Sequence, residues 1–356
     1  MGMPVNDEGQ RTHAEVEEEN ERKRHARANM DPPGERRKHT HADMAVRSTN
    51  DDASASKASC VARGYLKDPF AKQFVRRVVM RPPLINRGYF TRVHALQKVV
   101  RAFLDRDNCK AGPSQRQVVS IGAGYDTSYF VLQKDGVHVD KYVEVDFHET
   151  VAKKASIIRG CEDMMQLLGE GTQVDVNRGR VRSQNYCLLP ADLRQVDKLN
   201  DVLLEAGVDT SIPTLVLAEC VLVYVEPEDS LALMKWAVKT FPCNVFLLYD
   251  MINGNDPFGQ QMIHNLEKRG IPLPGLKASP TADSYRQRLL SAGFASAQAA
   301  DMNTMYAAVD PAERARIERV EILDELEEWQ LIMGHYCIAC GINDLNGTLK
   351  DIRLDG

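Results

Sequence analysis

The sequence lacks an excess of positive charge. Its 45 lysine and arginine residues stand against 50 aspartate and glutamate residues, which gives a formal net charge of -5 at pH 7 and a pI near 6.0. A chain of this charge has no overall field that attracts nucleic acid or an anionic membrane, so any anion site must be local. The composition therefore argues against a nucleic-acid partner.

Long hydrophobic runs are also missing. The longest run, residues 214–225, is about a dozen residues long and contains Glu219, whereas a membrane-spanning helix needs about 20 predominantly apolar residues. The N-terminal region has no apolar segment of the kind found in secretion signals. We expect a cytoplasmic protein with no membrane span.

Cysteines are present but do not form a disulfide framework, because the eight are scattered along the chain. Cys337 and Cys340 make a C-x-x-C pair, yet there is no second pair and no nearby histidine pattern of a zinc site. The sequence therefore predicts buried free thiols and no metal site.

Large apolar residues are sparse in residues 1–52, where charged blocks such as "EVEEENERKR" dominate. Such a segment cannot bury enough apolar surface to offset the entropy lost on ordering. We predict a disordered charged tail over residues 1–52 and a folded domain over residues 53–356.

Regular patterns begin after the tail. The stretches "DPFAKQFVRRVV" and "VHALQKVVRAFL" have apolar residues at helical spacing and predict a helical region over 53–112. Strand candidates such as "KYVEVDF" and "NVFLLYD" then alternate with helical ones over 113–250, and residues 251–356 add an irregular segment and a last strand candidate, "GHYCIACGIN". Alternating strands and helices with short connections predict a doubly wound α/β domain with a parallel sheet.

The stretch "VVSIGAGYDTSYF" predicts a cofactor site, because it places Gly122 and Gly124 directly after a strand candidate. Such a turn exposes backbone N–H groups at the carboxyl edge of the sheet. The dinucleotide fingerprint, G-x-G-x-x-G, has a third glycine that this chain lacks. Asp146 ends the next strand candidate and can accept both ribose hydroxyl hydrogens, as acids do in nicotinamide and S-adenosylmethionine sites alike. An adenosine cofactor is thus predicted, with its class left open.

Further acids lie at the same predicted edge. Asp192 follows the third long strand candidate and is placed to contact an adenine amino group, while Glu219 ends an apolar run where an unpaired carboxylate would be costly. Glu144 competes with Asp146 for the ribose, but Asp146 lies nearer the strand end.

Taken together, the stretches "INRGYFTRVHAL", "SIGAGYDTSYF", "KYVEVDF", "PADLR", "LAECVLVYVEPE" and "FGQQMIHNL" resemble the leucine carboxyl methyltransferase family. The resemblance runs from about Ala45 to about Gly341. It implies a class I S-adenosylmethionine-dependent methyltransferase sheet with an N-terminal helical lid and an insertion that shapes the substrate pocket. The polar segment at residues 167–186 does not align with the family.

The resemblance also assigns residues to the site. The cofactor-binding residues that it implies are Lys57, Arg92, Gly122, Asp146, Asp192, Leu193 and Glu219. Arg87 and Tyr224 are candidates for the substrate pocket, and no catalytic residue is assigned with certainty.

The function that the resemblance implies is transfer of a methyl group from S-adenosylmethionine to the α-carboxylate of the C-terminal leucine of the protein phosphatase 2A catalytic subunit, by a monomer. Three alternatives stay open: a related carboxyl methyltransferase that acts on a modified tRNA base or a small carboxylic acid, an inactive α/β module that binds a partner protein, and a nicotinamide dehydrogenase. The missing third glycine disfavours the last of these.

Overall fold

The computed structural model describes residues 33–105, 115–344, 347, 349 and 352–354. The chain divides into two compact units, residues 1–44 and residues 45–356. The described helices, in chain order, are α1 Pro33–Ala62, α2 Pro83–Leu104, α3 Ser128–Lys134, α4 His148–Gly160, α5 Glu162–Leu168, α6 Val196–Glu205, α7 Pro227–Thr240, α8 Pro257–Glu267, α9 Ala282–Ala292, α10 Met302–Ala307, α11 Pro311–Glu318 and α12 Leu326–Met333. None of these helices combines the length and apolar character that a membrane crossing requires.

Nine described strands form one sheet. They are β1 Gln117–Ile121, β2 Lys141–Asp146, β3 Gln173–Asp175, β4 Arg180–Arg182, β5 Tyr186–Pro190, β6 Thr214–Glu219, β7 Cys243–Met251, β8 Ser296–Asp301 and β9 Tyr336–Asp344. Their order across the sheet is β3-β4-β5-β2-β1-β6-β7-β9-β8. Strands β5, β2, β1, β6 and β7 run parallel, and β9 is antiparallel to both β7 and β8.

The central strands are buried on both faces because helices cover the sheet from both sides. Every residue of β1 is buried, and successive side chains alternate between the faces. Val118 therefore belongs to one large apolar cluster, whereas its neighbour Val119 belongs to the other. The predicted doubly wound sheet, with helices on both faces, is confirmed.

The same alternation explains the C-x-x-C pair. Cys337 and Cys340 lie three residues apart on β9, so their thiols point to opposite faces of the sheet. Cys337 packs in the second apolar cluster and Cys340 in the first. Both thiols fill the core, and the two cannot share one ligand.

Three parts of the structure differ from what the sequence suggests. The stretch "PTLVLAECVLVY", residues 213–224, is a strand candidate in the sequence, but its residues 222–224 form a short 3-10 helix, because the chain leaves β6 at Cys220 with a left-handed φ of 57°. Strand β8 was not predicted, since its sequence "SAQAAD" has almost no large apolar residue. The polar segment at 167–186 contains the hairpin β3–β4, which lengthens the sheet beside β5.

The predicted disordered tail also differs from the structure. Residues 1–32 lie outside the described residues, but residues 33–52 form the first part of α1. The second unit begins at Ala45, ahead of the predicted boundary at residue 53. From there the helix contacts the folded domain, because Ala45 and Val46 pack on the apolar cluster that contains Met251. Composition alone did not show this contact.

Candidate functional site

A cavity lies at the carboxyl ends of β1 and β6, under helices α1 and α2. It has about 490 Å³ of empty space, and we call it the turn cavity. Helix α1 contributes Lys57, α2 contributes Arg92, the turn after β1 contributes Gly122 and Asp126, and the end of β6 contributes Glu219. The structure therefore brings four of the seven predicted cofactor residues together.

The two glycines of the turn are required by its geometry. Both have left-handed backbones, with φ of 62° at Gly122 and 51° at Gly124. A Cβ on Gly122 would lie 2.7 Å from Cγ2 of Val221, and one on Gly124 would overlap the side-chain oxygen of Asn50. Glycine thus allows both the conformation and the close approach of α1 and of the segment after β6.

Asp146 holds the turn from the neighbouring strand. Its Oδ2 accepts a hydrogen bond of 2.7 Å from the backbone N–H of Gly124, and its Oδ1 accepts one of 2.7 Å from Phe147. Burial raises the pKa of Asp146, although these two hydrogen bonds oppose that shift. The Thr150 side chain is a third donor to this carboxylate. A carboxylate has about four acceptor sites, so ribose binding by Asp146 stays a prediction that the geometry permits.

Arg92 and Glu219 form an ion pair in the wall of the turn cavity, with 2.6 Å between Nε and Oε1. The guanidinium also lies over two aromatic rings, 4.7 Å from the centroid of Tyr249 and 5.2 Å from that of Tyr89. Burial alone would lower the pKa of Arg92, but the Glu219 carboxylate raises it well above its ordinary value. Arg92 is therefore a fixed positive charge whose position three side chains determine.

Lys57 is a second buried cation. Its Nζ lies 3.0 Å from Oδ2 of Asp68, 3.4 Å from Oδ1 of Asp126 and 2.5 Å from Oγ1 of Thr127. Burial would lower the pKa of Lys57, whereas the two carboxylates raise it above its ordinary value. These contacts attach the lid helix α1 to the turn after β1.

Asp126 is a site residue that the sequence reasoning missed. Its Oδ2 is buried and has no hydrogen-bond partner among the described residues. Its position in the sequence could have identified it, because an acid two residues after Gly124 must lie beside the turn. In contrast, Glu144, the competing acid of β2, is fully buried in an ion pair with Lys154 and accepts a hydrogen bond from Tyr186.

These charges fit the methionine end of S-adenosylmethionine. The turn cavity presents two cations, Lys57 and Arg92, and two carboxylates, Asp126 and Glu219. An amino-acid zwitterion carries one carboxylate and one ammonium group, and each finds a partner of opposite sign in these walls.

A second, larger cavity adjoins the first. It has about 1110 Å³ of empty space, and we call it the wide cavity. Its walls share Arg92, Gly122 and Glu219 with the turn cavity. Apolar side chains from α2, β7, α8 and α12 line much of the remainder: Leu84, Ile85, Met251, Leu266, Ile332 and Met333.

The wide cavity contains one of the two predicted pocket residues. Tyr224 is in its wall, with its hydroxyl 3.8 Å from Sγ of Cys220. Arg87 is in neither wall, because it is buried on another side of α2, where its Nη2 donates to the backbone oxygen of Glu321 at 3.2 Å. Arg269 and Asp52, which the sequence reasoning did not select, also line the wide cavity and form an ion pair.

The predicted adenine-side residues lie at the end of β5. Asp192 pairs with Arg194, with 2.7 Å between Oδ2 and Nη2. Leu193 is buried and packs in the second apolar cluster. Neither residue is in the walls of the two cavities, so their contact with adenine stays a prediction.

The chain is similar in sequence to known proteins. Residues 45–238 match the family described as Leucine carboxyl methyltransferase. The chain is 45% identical over 308 residues to the Leucine carboxyl methyltransferase 1 homolog of Arabidopsis thaliana, covering 86% of this chain and 92% of that protein. It is 40% identical over 297 residues to tRNA wybutosine-synthesizing protein 4 of Homo sapiens, covering 83% of this chain but only 43% of that protein.

A solved structure with a similar chain path is that of the plantazolicin methyltransferase BamL in complex with triazolic desmethylPZN analog and SAH. Its TM-score is 0.41 at 9% identity, over 82% of this chain and 97% of that chain. The family match covers more than half of the present chain, and the homologue of Arabidopsis thaliana extends the similarity over most of its length. The chain therefore belongs to the leucine carboxyl methyltransferase family and is an enzyme that methylates a carboxyl group with S-adenosylmethionine as methyl donor.

Proposed function

We propose that this protein methylates the α-carboxylate of the C-terminal leucine of the protein phosphatase 2A catalytic subunit. One observation carries the proposal: the wide cavity, lined by apolar side chains, adjoins the turn cavity at Arg92, Gly122 and Glu219. An apolar chain end that enters the wide cavity can thus present its carboxylate to the cofactor site.

The chemistry requires orientation more than proton transfer. A terminal carboxyl group has an unperturbed pKa of about 3.5, so it is ionised at neutral pH and needs no general base. When bound, S-adenosylmethionine supplies an electrophilic methyl group. The part of the protein is to hold the carboxylate in line, exclude water and bind the leucine side chain.

Leucine recognition follows from the apolar walls. Full burial of a leucine side chain contributes about 1.5–3 kcal/mol, and Leu84, Met251 and Leu266 supply apolar surface from three different elements. A charged terminal side chain would instead lose its hydration against these walls. The cavity therefore favours an apolar C-terminal residue.

Arg269 is our candidate for the group that attracts the acceptor carboxylate. Among the described residues, the walls of the wide cavity carry two guanidinium groups, those of Arg92 and Arg269. Arg92 is buried against Glu219, whereas Arg269 pairs with Asp52 where both side chains are about half exposed. Exposed pairs of this kind contribute little stability, so an incoming carboxylate can displace Asp52 at low cost.

A second candidate function is methylation in tRNA wybutosine synthesis, since the human protein of that name is 40% identical to this chain. The chain spans 43% of that relative. The net charge of -5 does not favour a nucleic-acid substrate, because phosphate contacts need clustered Lys and Arg. The cytoplasmic location and the monomeric state also remain proposals.

The decisive experiment uses methyl-labelled S-adenosylmethionine with three acceptors: the intact phosphatase catalytic subunit, the same subunit without its terminal leucine, and total tRNA. We expect base-labile label on the intact subunit alone. Label on tRNA alone would favour the second candidate. Equal label on intact and truncated subunit would contradict a C-terminal acceptor.

The role of Arg269 is tested by two substitutions with opposite expected effects. Arg269→Leu removes a charge-assisted contact and should raise the KM for the phosphatase by roughly tenfold or more, with cofactor affinity unchanged. Asp52→Asn removes the competing carboxylate and should lower that KM. Arg286→Leu is the matched control, because Arg286 makes a similar exposed pair with Asp283 on α9 and lies in neither cavity wall. An unchanged KM in Arg269→Leu would contradict the assignment.

A further inference from the structure

His335 is a buried histidine with no role in the function proposed above. It lies between the end of α12 and the start of β9, and only 2% of its surface is exposed. Its ring is packed against Phe258, with 4.5 Å between the ring centroids. Its neighbours in sequence, Met333 and Tyr336, are both in the wall of the wide cavity.

Both ring nitrogens of His335 face groups that only accept hydrogen bonds. Nδ1 lies 2.8 Å from the backbone oxygen of Leu331, and Nε2 lies 2.9 Å from Oδ1 of Asp256. A carbonyl oxygen has no proton to give. Hydrogen bonds from Gly259 and His335 keep the pKa of Asp256 below its ordinary value, so its carboxylate is ionised. Both contacts are satisfied together only when the ring carries a proton on each nitrogen.

The two contacts join separate parts of the cavity wall. Asp256 is the N-cap of α8, where it also accepts a hydrogen bond of 2.7 Å from the backbone N–H of Gly259. Helix α8 supplies Leu266 to the wall, and α12 supplies Met333. The backbone of His335 adds a third connection, because its oxygen accepts from the N–H of Ile252, just after β7.

We infer that His335 is a positioning residue for the wide cavity, because its two ring contacts fix the start of α8 against the end of α12. The inference rests in part on the proposed function, which makes that cavity the acceptor site. His335 itself lies in neither cavity wall, so its substitution should act on acceptor binding and leave the chemical step and cofactor affinity largely intact.

The groups around the ring come from both helices. Among the described residues, Asp256 is the charged group paired with the ring, while α12 offers the Leu331 carbonyl and α8 also offers the Phe258 ring. A side chain that makes only one of the two hydrogen bonds should therefore leave the start of α8 less firmly held, with a higher acceptor KM.

The kinetic test uses His335→Gln, which can satisfy only one of the two contacts, and Asp256→Asn, which keeps an N-cap oxygen but removes the charge. Both should raise the KM for the phosphatase subunit by roughly tenfold with little change in kcat. His138→Gln is the matched control, because it alters an exposed His–Asp pair that precedes β2.

A second readout needs no acceptor. Hydrogen exchange of the backbone amides in residues 257–267 should be faster in both variants than in the wild type, and unchanged in His138→Gln. Wild-type exchange and wild-type KM in both variants would overturn the inference, as would an equal loss of cofactor affinity. If the wild-type enzyme does not methylate the phosphatase, the proposed function fails, but the exchange experiment still decides whether His335 fixes α8. If His335→Gln does not fold, Asp256→Asn carries the same two measurements.

Discussion

The substitution Gly122→Ala tests whether the turn after β1 is closed by steric fit. Gly122 has a φ of 62°, and a Cβ there would lie 2.7 and 2.9 Å from the two γ-carbons of Val221. A left-handed backbone costs an alanine about 1–2 kcal/mol. Forcing an extra methyl group into a packed site adds about 1–3 kcal/mol, and Val221 cannot turn away easily because its β-branched side chain is restricted at χ1.

Gly136→Ala provides the matched control. Gly136 also has a left-handed backbone, with a φ of 74°, but a Cβ at this position would meet no atom of the described residues within 4 Å. Gly136→Ala therefore has the energetic cost of a left-handed alanine backbone and the benefit of lower conformational entropy in the unfolded chain, but it has no packing cost. Gly122→Ala should therefore lower the free energy of unfolding by about 1–3 kcal/mol more than Gly136→Ala does.

Urea denaturation of the wild type and both variants measures this difference, provided that the m-values agree. The double variant Gly122→Ala, Val221→Ala completes a double-mutant cycle, because it lacks the two γ-carbons of Val221 that the new Cβ would meet. Most of the packing cost should then be recovered, and it appears as a coupling energy between the two substitutions. Equal destabilisation by Gly122→Ala and Gly136→Ala, or additive effects in the double variant, would refute the steric argument. Calorimetry should also show weaker cofactor binding by Gly122→Ala only.

Two further predictions concern carboxylates. Asp146→Ala removes the acceptor of the Gly124 N–H and should weaken S-adenosylmethionine binding by roughly tenfold or more in calorimetry; unchanged affinity would remove Asp146 from the cofactor site. Burial raises the pKa of Asp250 to about 7 from an ordinary 3.8. Between these pH values the folded state binds one proton more than the unfolded state does. The free energy of unfolding of the wild type therefore falls as the pH rises through this range, by up to about 1.4 kcal/mol per pH unit. Asp250→Asn lacks this slope, so its stability relative to the wild type should improve from pH 5 to pH 8 in urea denaturation; parallel curves would contradict the buried-acid argument.

The fold and the chemistry of the turn were accessible from the sequence. Apolar runs that alternate with helical patterns indicate a parallel sheet, and the carboxyl ends of parallel strands meet at one edge. Gly122, Asp146 and Glu219 could therefore be placed at that edge without coordinates, and the structure puts them there. Strand β8 escaped prediction because its small and polar residues carry no periodic signal.

Two arginines near the start of α2 show what sequence patterns alone could not predict. Arg87 and Arg92 are five residues apart, which turns their side chains about 140° away from each other around the helix. Only one of them can face the cavities, but the sequence does not say which face of α2 packs on the sheet. The structure turns Arg92 toward Glu219 and Arg87 toward Glu321.

Sequence patterns were thus sufficient to predict the type of each central element, the edge where the predicted cofactor residues meet and the family of the enzyme. Tertiary structure alone decided the partners: Lys57 with Asp68, Arg269 with Asp52, and His335 with Asp256. The physical reason is the separation along the chain over which each kind of interaction acts. Periodicity and turn chemistry act over a few neighbouring residues, whereas these pairs join segments whose contact depends on how helices, loops and sheet pack together.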